Sequence, residues 1–104
     1  MWSMVVGVLE ELRRMPGVEK VLLVSSTGMP AAGDCDLAVS AISAVVVESS
    51  VRLAQELSTD YSYTVVASSN GQATLLLKLS EDLYAAILVE KQHLPQVLEK
   101  LNLS

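Results

Sequence analysis

Phenylalanine is absent from this chain, tryptophan and cysteine occur once each, and nowhere do lysines and arginines cluster. Without phenylalanine, and with 51% hydrophobic residues, the core has to be built from aliphatic side chains, which suits stacked helices and strands. A single cysteine, Cys35, excludes an internal disulfide framework and is compatible with a reducing cytoplasm. A formal charge of −5 with no basic cluster argues against nucleic acid as a partner, because neutralising phosphates supplies most of that affinity. The same charge disfavours anionic membrane surfaces. No stretch reaches the roughly 18 uninterrupted apolar residues of a membrane span. The opening "MWSMVVGVLEELRRM" lacks a basic region ahead of its short apolar run, so it reads as a helix rather than a targeting segment.

Chemistry-bearing motifs are equally scarce. "SSTG" and "SSNG" contain glycine and hydroxyls but no lysine or repeated glycines, so turn chemistry explains them and a phosphate loop does not. Cys35 and His93 sit in no nucleophile signature, and a metal site would need Asp34, Cys35, Asp36 and His93 to converge without zinc-type spacing. No catalytic residue, cofactor or metal is therefore expected.

What the sequence does contain is strong periodicity. At 104 residues the chain forms one domain over residues 1–104. A first helix runs from Trp2 to Met15, with Met4, Val5, Val8, Leu9, Leu12 and Met15 on one face, and Pro16-Gly17 stops it. "VEKVLLVSS" reads as a strand, Thr27-Gly28 as a turn and "MPAA" as a short extended piece. Asp34 or Asp36 then caps a long helix from Ala38 to Leu57, far longer than a strand of about five or six residues. Beyond it, "YSYTVVAS" and "QATLLLKL" flank Ser69-Asn70-Gly71, a hairpin signal, and "LYAAILVEK" supplies another strand. Pro95 opens a last helix, "LPQVLEKLNL", with Val97, Leu98 and Leu101 inward.

The order is αββαβββα. Runs such as "VLLV" and "AAILV" are apolar throughout, so both faces of the sheet are covered. The expected fold is a three-layer α/β (α+β) sandwich with a five-stranded, mostly antiparallel sheet. The long helix lies on one face and the two terminal helices on the other.

The long helix divides into three faces rather than two. Val39, Ile42, Val46, Leu53 and Leu57 form a bulky stripe, which is the expected core contact. Ser40, Ser43, Ala44, Val47, Ser50, Val51 and Ala54 form a face of small or modest side chains. Glu48, Arg52, Gln55 and Glu56 form a charged face. The small face either meets another backbone closely or packs under the sheet as core.

The succession "LRRMPGVEKVLLVSSTGMPAA", the long Ala/Ser/Val-rich helix and the closing "SEDLYAAILVE" resemble the roadblock / dynein light chain domain, over nearly the whole chain. The terminal "LPQVLEKLNL" is similar to the longer bacterial or archaeal members. The resemblance implies a non-catalytic homodimer in which the third strands pair edge to edge and the long helices pack side by side. The interface would comprise Ser40, Ser43, Ala44, Val47, Ser50, Val51 and Ala54 with Tyr61, Tyr63 and Val65. It also implies a Ras-like small GTPase as partner, docked on Glu48, Arg52, Gln55 and Glu56. Two other functions stay open: a structural subunit paired with a related chain, and a small-ligand sensor, which would need a pocket with converging polar groups.

Overall fold

The computed structural model describes residues 2–103, with side chains from Val6 to Leu103, so the expected inward positions of Met4 and Val5 lie outside the described residues. Its elements follow the order read from the sequence: helix α1 (Trp2–Arg14), strands β1 (Val18–Ser25) and β2 (Pro30–Gly33), helix α2 (Leu37–Glu56), strands β3 (Tyr63–Ala67), β4 (Gln72–Ser80) and β5 (Leu83–Glu90), and helix α3 (Leu94–Lys100). A single 3₁₀ turn, Lys91–His93, leads into α3. The five strands form one sheet in the order β2-β1-β5-β4-β3, and every neighbouring pair is antiparallel.

Alternation along the strands divides the core in two. Val21, Leu23, Leu75, Leu77, Ala85, Ile87 and Val89 face α1 and α3, meeting Leu9, Leu12 and Val97. Leu22, Val24, Leu76, Tyr84 and Ala86 face α2. A strand buried on both faces has no polar side to show, which is why the central segments read as continuous apolar runs.

Local chemistry sets the connections. Asp36 is the N-cap of α2: its carboxylate accepts the Val39 N–H at 3.0 Å. Asp34 has another task, accepting the Val21 N–H at 2.9 Å and facing the Arg13 guanidinium at 3.5 Å, so it ties α1 to the β1–β2 pair. The β3–β4 hairpin closes through Ser68 N–H to the Gln72 carbonyl at 2.9 Å around Ser69-Asn70-Gly71. Gly71 takes the left-handed conformation (φ 86°) that such a three-residue loop requires at its last position.

Strands β2 and β3 are the two edges of the sheet. β3 therefore has one side unpaired, as an edge role demands, whereas β1, β4 and β5 are internal.

Candidate interaction surface

Helix α2 turns most of its expected core stripe away from the sheet. Ser40, Ser43, Ala44 and Val47 are 0%, 4%, 4% and 0% exposed, while Ile42, Val45, Leu53 and Leu57 are 61–68% exposed. The small face lies on the sheet; of the bulky stripe, Ile42, Leu53 and Leu57 face outward, while Val39 and Val46 remain half-buried against the core as expected. The reason is complementary volume. Leu22, Leu76 and Tyr84 already project from this side of the sheet, so only small helix side chains let the backbone sit close enough to fill the layer. The proposed pairing surface made from Ser40, Ser43, Ala44 and Val47 is corrected accordingly: these side chains are core within one chain and present nothing to a partner.

Of the remaining expected interface residues, Val51 and Tyr61 pack on the α2 side of the sheet, whereas Tyr63 and Val65 pack on the α1 and α3 side. Ser50, Val51 and Ala54 are half-buried along the flank of α2, as are Tyr61, Tyr63 and Val65 at β3. A short polar relay joins the two elements. The Thr64 and Tyr61 hydroxyls lie 2.8 Å apart, with Thr64 Oγ1 2.9 Å from Ser50 Oγ and the Tyr61 hydroxyl donating to the Leu76 carbonyl at 3.1 Å. Burial pushes the Tyr61 phenol above the ordinary tyrosine range, partly offset by its bond to Thr64. This relay holds β3 against the Ser50 side of the helix. With residues 100° apart, Ile42, Leu53 and Leu57 lie between that flank and the outermost line of α2. Val66, also exposed, projects from β3. The outward apolar stripe thus borders the open edge of the sheet.

Glu48, Arg52, Gln55 and Glu56 are all exposed on α2. Three of them, Glu48, Arg52 and Gln55, line a shallow recess beside Val51 and there meet two residues that the sequence pattern did not single out, Lys78 of β4 and Tyr84 of β5. Lys78 interrupts the apolar run "LLLKL", the one signal in the sequence that could have drawn attention to it. Burial raises the Tyr84 phenol above its usual range, and the Glu48 carboxylate adds to that shift.

Cys35 is exposed in the β2–α2 connection, whereas His93 packs its ring over Gly17 with Nδ1 3.5 Å from Glu90 Oε2. Among the described residues no group of three or more His, Cys, Asp or Glu side chains could hold a metal ion. A groove of about 380 Å³ separates the C-terminal turns of α1 and α3, floored by Met15, Pro16 and Val97. By length and composition α2 could cross a membrane, with a mean hydropathy of 1.6 over its most apolar window, contrary to the reading of the sequence by uninterrupted runs. Its buried small face nevertheless makes it a layer of the domain.

A five-stranded antiparallel sheet of this order, with one long helix on one face and terminal helices on the other, is the roadblock/LC7 fold. No family model matches the sequence, and no curated protein matches it. The likeness is to solved structures. MglB of Myxococcus xanthus superposes with a TM-score of 0.77 at 12% identity, over 92% of this chain and 84% of that one. The gliding protein MglB of Thermus thermophilus gives 0.70 at 18% identity, over 84% and 71%. A roadblock/LC7 domain from Streptomyces avermitilis gives 0.70 at 12% identity, over 94% of each chain. At these identities the shared property is the fold.

Proposed function

We propose that this chain is a non-catalytic, homodimeric regulator or scaffold for a Ras-like small GTPase, acting in the cytoplasm. The observation that carries the reading is the exposed apolar stripe of α2 beside the open edge of β3. Large apolar side chains in a contiguous exposed stripe mark a protein contact, and an uncovered edge strand invites pairing with another strand. A two-fold axis beside both features would cover them together, strand on strand and helix on helix, through a self-complementary surface. The pairing side chains are then Ile42, Val45, Leu53, Leu57 and Val66, with Tyr61, Tyr63 and Val65 at the strand edge and Ser50, Val51 and Ala54 at the helix margin. The charged flank formed by Glu48, Arg52, Gln55 and Glu56 remains for the GTPase. The fold shared with MglB, a gliding protein in its Thermus form, supports a regulatory role.

The test has two parts. Light scattering across a dilution series should give a persistent mass of twice 11.1 kDa. A stable monomer would overturn the homodimer. Immobilised dimer should retain a GTP-binding protein in a nucleotide-dependent way, and Arg52→Glu should abolish retention without altering the mass. Undiminished retention by that variant would move the docking site off this flank.

A further inference from the structure

The recess beside α2 contains an arrangement that a merely solvated charged face does not require. It measures about 230 Å³ and is lined by Glu48, Val51, Arg52, Gln55, Lys78 and Tyr84. Tyr84 is only 5% exposed, its ring held in the core under α2. Tyr84 nevertheless lines the recess, and its hydroxyl makes no hydrogen bond to a described residue. The hydroxyl is reached by solvent rather than sealed in the core, so its hydrogen-bonding capacity is open to exchange with an incoming group.

The lining supplies donors from Arg52, Gln55 and Lys78, while the carboxylates of Glu48, Glu81 and Asp82 also act on the phenol. Arg52 makes no ion pair with a described residue and offers a planar fork of N–H groups suited to a carboxylate. The Lys78 ammonium is held 3.2 Å from Oε1 of Glu81, whose own side chain is 89% exposed and therefore easily displaced. The Gln55 carboxamide supplies a further N–H. Glu48 is the one acid in the lining. At about 230 Å³ the recess is smaller than the clefts of roughly 300–1,000 Å³ that enclose drug-sized molecules, and it fits a single side chain.

We propose that this recess receives the carboxylate of one aspartate or glutamate carried by a docked protein partner. The inference rests on the docking role given above and names the chemistry of its anchor. The incoming carboxylate takes the Arg52 fork and the Tyr84 hydroxyl, and exchanges with Glu81 for Lys78. Covering the recess removes water from these bonds and strengthens them. Glu48 at the rim disfavours a second acid next to the first and pairs with a basic neighbour, which fixes the orientation of the partner.

Nuclear magnetic resonance titration tests this without any partner. Three probes are compared on the intact chain: the N-acetyl, N-methylamide derivatives of glutamate, glutamine and lysine. The glutamate derivative should shift the Gln55 side-chain amide and the Arg52 Nε–H saturably, with a dissociation constant of about 1–10 mM, a weak range fitting a single ion-paired contact. The other two should not. Tyr84→Phe should weaken binding about 2–10-fold through the lost hydrogen bond, and Glu81→Gln should strengthen it by freeing Lys78. Should Tyr84→Phe disturb the fold, Arg52→Gln on the exposed face gives the same readout as a loss of saturation. Equal shifts with the glutamine derivative, preference for the lysine derivative, or unaltered affinity in a folded Tyr84→Phe would each overturn the proposal. Carboxylate-selective binding without GTPase retention would refute the docking partner alone, and retention without carboxylate selectivity would refute the recess alone.

Discussion

Ser40 is fully buried under the sheet, and its Oγ has no hydrogen-bond partner among the described residues. A buried hydroxyl without a partner carries its desolvation cost uncompensated, and serine is a poorer helix former than alanine. Ser40→Ala should therefore stabilise the fold by about 1 kcal/mol, read as a higher urea midpoint with unchanged slope. A lower midpoint would show that the hydroxyl is satisfied. The tyrosines make a prediction of the opposite kind. Tyr61 and Tyr84 both have phenols raised above 10.0 by burial, so the fold favours their neutral forms. That contribution is fully present below the unfolded tyrosine value and is lost as pH rises through the folded one. The urea midpoint should fall above pH 10.0, and Tyr84→Phe, which cannot ionise, should flatten the fall. Parallel alkaline profiles for the two proteins would remove Tyr84 as a cause.

At the scale of the element, α2 shows how a helix can be recognised and yet oriented wrongly. Its length, its Asp36 cap and the absence of glycine and proline made its existence legible. Its orientation was not, because aliphatic residues lie on both sides and the usual contrast between apolar and polar faces is weak. Bulk misled the reading: Ile42, Leu53 and Leu57 look like core residues, while Ser40 and Ser43 do not. Size matching against Leu22, Leu76 and Tyr84 reverses that order, and only the sheet reveals it. The two faces should respond differently to the same insult. Val47→Asp buries an unpaired carboxylate and should cost at least about 3 kcal/mol or prevent folding, whereas Leu53→Asp should keep the folded spectrum and convert dimer to monomer. Circular dichroism together with light scattering decides between them. A dimer that survives Leu53→Asp would exclude the outward stripe as the pairing surface.

For the whole molecule, the sequence by itself determined the order of elements, the two-sided covering of the sheet and the position of the β3–β4 hairpin. Each of these follows from local signals: period, cap, Pro-Gly stop and Asn-Gly turn. It also marked Glu48, Arg52 and Gln55 as a polar group, because such side chains stand out against so apolar a helix. The tertiary structure alone decided which face of α2 is core, and that Lys78 and Tyr84, from strands remote in sequence, join that polar group in one recess. These are properties of juxtaposition. A helix face becomes a surface only when the sheet has taken the opposite one.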